Sequence, residues 1–251
     1  MMKKLNLFLT ALFSLLLVGC YIAPMSETHK IYANAVIDST FVPKPEISAE
    51  INPYKKQLDS IMNQPITFAE QDFDKSGFSG SEGNLIADLS LSFAKDFARK
   101  NNLPVPDFCL MNIGGVRTII PKGVVTTETV FEVLPFENTL YFAQLDGIQM
   151  KALFDYLVRE KKGHPLSGIK VVYKDNQLYS AEIEGKPFNP DQKYWVATND
   201  YLFNGGDRMS FFTHASNSYD TQVKLRDMII NQMSKYKILP YNTDERLIFE
   251  N

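Results

Sequence analysis

Two segments of the chain space their apolar residues like one face of an α-helix. The first, ISAEINPYKKQLDSIMNQ, begins near residue 47, and the second is NLIADLSLSFAKDFARKNN. The apolar face of the first consists of Ile51, Tyr54, Leu58 and Ile61/Met62. That of the second consists of Leu85, Ile86, Leu89, Phe93 and Phe97. Because these spacings match the helical period, both segments are predicted to be amphipathic helices.

Shorter apolar runs predict β-strands between and after these helices. They are PITFAEQDF, DFCLMN, TLYFAQL, KYWVATND, RLIFE and two runs flanking a turn at 174–176. Three further helices are predicted: a short one in TETVFEVLPF that ends at Pro135, one in IQMKALFDYLVREKKG, and one over residues 219–236. Helices and strands are mixed without strict alternation. The pattern therefore predicts an α+β fold, with a mixed β-sheet packed with helices, rather than a doubly wound parallel sheet.

The N-terminus has the pattern of an export signal. Lys3 and Lys4 precede an apolar run from Leu5 to Val18, which is shorter than the roughly 20 residues of a membrane span. The run ends in Leu-Val-Gly-Cys, which resembles a bacterial lipobox and implies cleavage before Cys20 and lipidation there. We expect an exported bacterial lipoprotein anchored to a cell-envelope membrane. An ordinary signal peptide with a chance cysteine is the alternative.

These boundaries divide the chain into three parts. Residues 1–19 are predicted to be the signal peptide, residues 20–46 a proline-containing tether, and residues 47–251 a single domain. Removing the signal peptide leaves 24 of the 26 basic residues against 29 acidic ones, a net charge of −5. No basic patch stands out, so a nucleic-acid partner is not expected. Cys109 would be the only other cysteine, and its apolar neighbours favour a small buried hydrophobe.

Three segments combine a strand or helix end with residues suited to ligand binding. The first is Asn112-Ile113-Gly114-Gly115-Val116-Arg117. Its glycines allow the backbone to approach a ligand and its amides to form an anion-binding nest, while Arg117 adds a planar fork for phosphate or carboxylate. On its own this segment is better explained as a glycine turn with a surface arginine.

The other two segments supply aromatic rings and an acid. Pro135 places Phe136 in a fixed turn, although a helix stop with a core Phe136 explains that segment better when it is taken alone. In NDYLFNGGDR, the glycines after Asn204 permit a sharp turn. There Asp207 could accept hydrogen bonds from a vicinal diol, and Tyr201 offers a flat stacking face.

Four motifs together resemble a known family. GNLIAD, NIGGVR, LPFEN and KYWVATNDYLFNGGD occur in the order and spacing of the C-terminal domain of 5′-nucleotidases, a group that includes the bacterial UDP-sugar hydrolase and vertebrate ecto-5′-nucleotidase. The resemblance extends over residues 47–251 and implies a nucleotide- or nucleoside-binding domain. It implies that Phe136 and Tyr201 sandwich the base, with Tyr201 at a position where the family usually has Phe, and that Asp207 holds the ribose hydroxyls.

The resemblance also assigns the remaining site residues. Asn112 and Arg117 would reach toward the phosphate. The turns that shape the site would be formed by Gly114, Gly115, Asn204, Gly205 and Gly206. An arginine that the family carries before its Gly-Asn-Leu helix start falls here on Phe78, with Lys75 nearby as a substitute charge.

Hydrolysis in this family belongs to a separate N-terminal domain that holds two metal ions. This chain has only His29, His164 and His214, widely scattered, and lacks Asp-x-His, Gly-Asp-x-x-Asp and Gly-Asn-His motifs. We therefore expect no catalytic or metal-binding residue in this chain, with divalent metals on a separately encoded metallophosphatase. The prediction is the nucleotide-recognising half of a split 5′-nucleotidase in nucleotide catabolism. The alternatives are a non-catalytic nucleoside- or nucleotide-binding lipoprotein and a degenerate scaffold that binds another protein.

Overall fold

The structure is a computed structural model that describes residues 42–250. The described residues from Glu50 onward belong to one compact unit. The predictions for the signal peptide, for Cys20 and for most of the tether lie outside the described residues. Within the described residues, no helix is both long enough and apolar enough to cross a membrane.

Six helices and eleven strands are described. The helices are α1 (Pro45–Met62), α2 (Ser81–Lys100), α3 (Thr127–Val133), α4 (Gly147–Glu160), α5 (Asp200–Phe203) and α6 (Leu225–Met233). The strands are β1 (Pro65–Ala69), β2 (Phe108–Leu110), β3 (Gly123–Thr126), β4 (Thr139–Leu145), β5 (Leu166–Ser167), β6 (Ile169–Lys174), β7 (Gln177–Ile183), β8 (Lys186–Pro187), β9 (Tyr194–Asn199), β10 (Asn217–Lys224) and β11 (Leu247–Glu250).

The strands form one central sheet and two smaller ones. The central sheet has the order β10-β4-β9-β2-β5, in which β2 and β9 are parallel and the other neighbours are antiparallel. A second sheet has the order β11-β6-β7-β8, with β11 parallel to β6, and β1 pairs with β3. The predicted α+β fold with a mixed β-sheet packed with helices is confirmed.

Apolar side chains cover both faces of the central sheet. Along β4, Leu140 and Phe142 join the core beneath α2 and α6, whereas Ala143 and Leu145 join the core beneath α4 and the second sheet. This division follows from the alternation of side chains along a strand. Strand β2 is buried throughout, as expected from its apolar run, and burial raises the pKa of the Cys109 thiol above its usual range.

Helix α4 begins where its sequence predicts. The carboxylate of Asp146 accepts hydrogen bonds from the backbone N–H groups of Ile148 and Gln149, at 2.9 and 3.2 Å. These are amides that a helix N-terminus otherwise leaves without partners. An acidic residue before Gly147 is therefore a sufficient start signal.

The predicted helix over residues 219–236 is wrong in its first part. Residues 219–224 belong to strand β10, and the helix is confined to Leu225–Met233. Strand β10 lies at the edge of the sheet and carries a bulge after Asp220, with Gln222 at a φ of 59°. Because most of its side chains are exposed, its sequence lacks the alternation that would identify a strand.

Helix α1 confirms a predicted helix but leaves its apolar face uncovered. Ile51, Tyr54 and Leu58 are 54%, 73% and 53% exposed. The helical period identified the element and its apolar side, since both depend on spacing alone. It did not identify a packing partner, which depends on the rest of the molecule.

Glu82 is a fully buried acid in the first turn of α2. Among the residues that the structure describes, neither carboxyl oxygen has a hydrogen-bond partner. Burial raises the pKa of this carboxyl from 4.5 to about 8, against the opposing effect of Lys75. Glu82 is therefore protonated at neutral pH in the folded protein.

Because its pKa is higher in the folded than in the unfolded state, Glu82 should make stability fall as the pH rises from about 4.5 to 8. The effect is several kcal/mol at most, at about 1.4 kcal/mol per pKa unit. Glu82→Gln keeps the shape and removes the titration. We expect its free energy of unfolding, measured by urea titration, to exceed that of the parent increasingly from pH 5 to pH 8.5. A parent-minus-variant difference that is constant across this range would contradict the assignment.

Candidate ligand-binding site

The three predicted ligand segments meet at one edge of the central sheet. Asn112 follows the end of β2, and Tyr201 follows the end of β9, two strands that run in parallel. Phe136 precedes β4, which is antiparallel to β9, so that Leu140 at the start of β4 pairs with Asn199 at the end of β9. The topology therefore delivers all three segments to the same place.

A cleft of about 420 Å³ opens between these segments. It is lined by Asn112, Gly114, Arg117, Phe136, Asn138, Tyr201 and Asp207. The sequence singled out each of these as a site residue except Asn138. The size lies within the range of small-molecule sites.

The cleft has two aromatic side chains on opposite segments. Phe136 is 48% exposed and Tyr201 is 44% exposed, so each presents a substantial apolar surface to solvent. The Arg117 guanidinium lies over the Phe136 ring, 5.9 Å from its centroid, and also donates weakly to the carbonyl oxygen of Gly114 at 3.4 Å. Aromatic faces and a cation therefore share the opening.

Asp207 is held in a fixed orientation by Tyr201. The Tyr201 hydroxyl donates to Oδ1 of Asp207 at 2.9 Å and accepts from the Asp207 backbone N–H at 3.1 Å. Oδ2 lies toward the Gly114 segment. A Cβ atom added at Gly114 would be 4.0 Å from this oxygen. Asp207 adopts a φ of 51°, a left-handed conformation that costs a non-glycine residue energy.

Asn112 forms the base of the cleft. It is buried, and its Oδ1 accepts from Asn199 Nδ2 at 3.0 Å. The Asn199 side chain in turn accepts from the backbone N–H of Leu202 at 2.8 Å. Two asparagines thus link the end of β2 to the segment that carries Tyr201.

Four predicted site residues lie outside the lining of this cleft. Gly115 lines a smaller cavity of about 30 Å³ behind Asn112 and Phe136. Gly205 forms the turn at a φ of 85°, and the Asn204 side chain donates to the Asp200 carbonyl at 2.8 Å.

Gly206 has a steric role. A Cβ at Gly206 would lie 2.5 Å from the Tyr201 ring, a distance at which one of the two groups must move. Only glycine therefore allows the Tyr201 ring to lie against this turn in the present arrangement.

Neither Phe78 nor Lys75 lines the cleft. Phe78 packs on Phe249, with ring centroids 4.5 Å apart, and Lys75 Nζ donates to the Val116 carbonyl at 2.6 Å. Lys75 thus braces the backbone beside Arg117 rather than entering the cleft. Arg117 is the single cation among the seven lining residues of the described structure.

A buried chain of polar groups connects two of the ligand segments. The Ile113 backbone N–H donates to Nδ1 of His164 at 3.3 Å. Nε2 of His164 lies 3.5 Å from the Tyr156 hydroxyl, which donates to the Asp207 carbonyl at 3.1 Å. The sequence did not indicate His164 or Tyr156 because neither lies in a motif.

His164 is neutral in the folded protein. Burial lowers the pKa of its imidazole from 6.5 to about 4, despite the nearby acid Asp207. Neutral imidazole can accept the Ile113 amide at Nδ1, which protonated imidazole cannot.

Metal ligands are not clustered in the described part of the chain. Within residues 42–250, no three side chains from His, Cys, Asp and Glu come close enough together to hold a metal ion.

Comparison with known proteins identifies a domain family. The model of the family described as "5′-nucleotidase, C-terminal domain" matches residues 63–214, more than half of the chain. This match includes every residue that lines the cleft.

Relatives and solved structures agree with that match. The trifunctional nucleotide phosphoesterase YfkN of Bacillus subtilis is 31% identical over 219 residues, covering 79% of this chain and 15% of that protein. The 5′-nucleotidase of Bos taurus is 26% identical over 253 residues, covering 87% of this chain and 43% of that protein. The chain thus spans less than half the length of these relatives. The crystal structure of a Thermus thermophilus 5′-nucleotidase precursor shares the fold, with a TM-score of 0.70 and 24% identity over 84% of this chain and 44% of that one.

Because the His164 pKa is lower in the folded than in the unfolded state, its contribution to stability is lost as the pH falls from about 6.5 to 4. The loss is about 3 kcal/mol, since one pKa unit corresponds to about 1.4 kcal/mol. His164→Asn keeps an acceptor near the Nδ1 position and does not titrate. We expect the parent's free energy of unfolding to fall relative to this variant over that range, measured by urea titration at several pH values.

Glu82 titrates with the opposite sign in an overlapping range, so the parent curve alone does not isolate His164. The difference between the parent and His164→Asn cancels the contribution of Glu82. If that difference does not change between pH 7 and pH 4.5, the assigned protonation of His164 is wrong.

Proposed function

The chain belongs to the 5′-nucleotidase C-terminal domain family, and we propose that it is the nucleotide-recognising half of a split 5′-nucleotidase. The observation that carries this proposal is the cleft itself. Phe136 and Tyr201 expose aromatic surface from two different segments, and Asp207 is fixed between them and the Gly114 loop. Such a combination suits a ligand with a flat base and a sugar diol.

The base would stack between Phe136 and Tyr201. Phe136 follows Pro135, whose backbone φ is fixed, and the Tyr201 side chain is held by two hydrogen bonds to Asp207. Little ordering of the protein would then be needed when the ligand binds, which favours affinity. Stacking accepts any base, so the preferred base is not specified by these two rings.

The sugar and phosphate would bind to the polar residues that line the cleft. Asp207 Oδ2, which faces the cleft, would accept from a ribose hydroxyl, while Oδ1 remains bonded to the Tyr201 hydroxyl. Arg117 carries the positive charge that an anionic phosphate requires, and Asn112 and Asn138 offer neutral polar groups at the base of the cleft.

Phosphate-ester cleavage would require a second protein. The named relatives are nucleotidases and phosphoesterases more than twice as long as this chain. We propose that a separately encoded metallophosphatase supplies the metal ions and the hydrolytic groups in trans. We further propose that lipidation at Cys20, which lies outside the described residues, anchors the protein to a membrane of the bacterial cell envelope.

We expect Phe136→Ala and Tyr201→Ala each to weaken adenosine binding by about tenfold or more. Stacking on an aromatic ring is worth about 1–3 kcal/mol per base, and about 1.4 kcal/mol corresponds to tenfold. The measurement is calorimetry on the purified full chain in mild detergent, with circular dichroism to confirm folding. Folded variants that bind adenosine as tightly as the parent would contradict base stacking.

Two further variants serve as matched controls for this test. Asp207→Ala should weaken the binding of adenosine but not that of 2′,3′-dideoxyadenosine, which lacks the ribose hydroxyls. Arg117→Ala should weaken AMP more than adenosine, because its charge is assigned to the phosphate. A general folding defect would instead weaken every ligand alike.

The purified full chain alone should not hydrolyse AMP, whereas addition of the partner metallophosphatase with a divalent cation should give activity. A colorimetric phosphate assay measures this, and any metallophosphatase encoded in a neighbouring reading frame is the first partner to test. Phe136→Ala should reduce the activity of the mixture by raising KM. Robust, chelator-sensitive hydrolysis by this chain alone would overturn the split arrangement. Binding of adenosine with no activity in any mixture would favour the alternative, a non-catalytic nucleoside-binding lipoprotein.

A further inference from the structure

Arg226 is a buried cation outside the cleft whose hydrogen bonds are directed at one turn. It lies at the start of helix α6, and its side chain is only 9% exposed. Burying a guanidinium is costly unless its N–H groups find partners. Within the described structure the Nε of Arg226 has none, so Nη1 and Nη2 make its hydrogen bonds. Its partners therefore indicate what the side chain does.

The guanidinium holds the turn that carries Phe136 at three points. Nη1 donates to the carbonyl oxygens of Leu134 and Pro135, at 3.2 and 3.1 Å. Nη2 forms an ion pair with the carboxylate of Glu137. Phe136 is thus bracketed on both sides by residues that Arg226 binds.

A fourth contact fixes the guanidinium itself. Its Cζ lies 3.9 Å from the centroid of the Phe131 ring, a residue of helix α3. This stacking restricts the plane of the guanidinium and hence the direction of its N–H groups. A lysine at this position would offer a point charge without that geometry.

The turn needs an external partner because it follows the end of a helix. Helix α3 ends at Val133, and the carbonyl oxygens that follow it receive no N–H donor from the helix. Pro135 also lacks an N–H group. Arg226 supplies donors to both the Leu134 and the Pro135 carbonyl.

We propose that Arg226 is a positioning residue for ligand binding, which acts by presenting the Phe136 ring to the cleft. This inference rests on the proposed function, because the ligand is the base that Phe136 would stack against. Arg226 itself does not line the cleft. Its effect on a ligand would pass entirely through the turn.

The chain offers a matched control in Lys224. Its Nζ lies 2.6 Å from Oε2 of the same Glu137 carboxylate, but the pair is exposed. Within the described structure, the turn carbonyls accept from Arg226 and not from the Lys224 side chain. Exposed ion pairs of this kind contribute little to stability. Lys224→Gln therefore removes a contact to Glu137 but leaves the clamp, the hydrogen bonds from Arg226 to the Leu134 and Pro135 carbonyls and to Glu137, in place.

The first arm measures adenosine affinity by calorimetry on the full chain in mild detergent. Arg226→Lys should weaken adenosine binding by about tenfold, because the loss should be close to that of one stacking ring. Lys224→Gln should bind like the parent. Arg226→Lys in a Phe136→Ala background should cause no further loss, because the two changes act through the same ring.

The second arm measures the turn itself by hydrogen exchange of a peptide covering residues 131–139, without ligand. Arg226→Lys should raise exchange there by about tenfold, while the rest of the domain exchanges as in the parent. If Arg226→Lys is too unstable, Glu137→Gln tests one point of the clamp and should raise the same exchange to a smaller extent.

The two arms separate failure of this inference from failure of the proposed function. If the parent does not bind adenosine but Arg226→Lys raises exchange at residues 131–139, the ligand assignment is wrong, whereas Arg226 still holds the turn. If a folded Arg226→Lys shows parental affinity and parental exchange at residues 131–139, the positioning role is overturned. Additive losses in the Phe136→Ala background would also overturn it, since Arg226 would then act elsewhere.

Discussion

The position of strand β9 between β4 and β2 is the constraint on which the candidate site depends. Its parallel pairing with β2 and antiparallel pairing with β4 bring two strand ends and one strand start to the same edge. Reversing the direction of any one of these three strands would send its segment to the opposite edge. Burial of the central sheet on both faces fixes this arrangement, because a shift of one residue would exchange its two apolar faces.

Pairing of strands brings the segments together, but buried polar side chains set their orientation. Asn199 links Asn112 to the Tyr201 segment, and His164 with Tyr156 links the glycine loop to Asp207. A buried polar group without its partner is costly, so these links hold each segment in one arrangement. The exposed rings of the cleft therefore stand on a restrained base, although the rings themselves face solvent.

Much of the fold follows from local patterns in the sequence. The buried strand β2 and the start of α4 were predicted because a dense apolar run and an acidic cap are local signals. Strand β10 was assigned to a helix because its side chains are mostly exposed and bulged, which leaves no period of two. The exposed apolar face of α1 shows the complementary limit: spacing identifies a face but not what covers it.

The residues of the site also fall into two groups: those that a local motif identifies and those that act through groups far away in the chain. Most site residues within the Gly-rich and Pro-containing segments were predicted because these motifs, taken together and in order, resemble a known family; Asn138 of the Pro-containing segment was missed. His164 and Arg226 were not predicted, since each acts through groups distant in the chain; Arg226, for example, lies 92 residues beyond Leu134. The Tyr201 ring occupies the space that a Cβ at Gly206 would need, and its hydroxyl is bonded to Asp207, whose backbone is left-handed. Motifs thus locate the groups that would face a ligand, whereas the groups that hold them in place emerge only when the chain is folded.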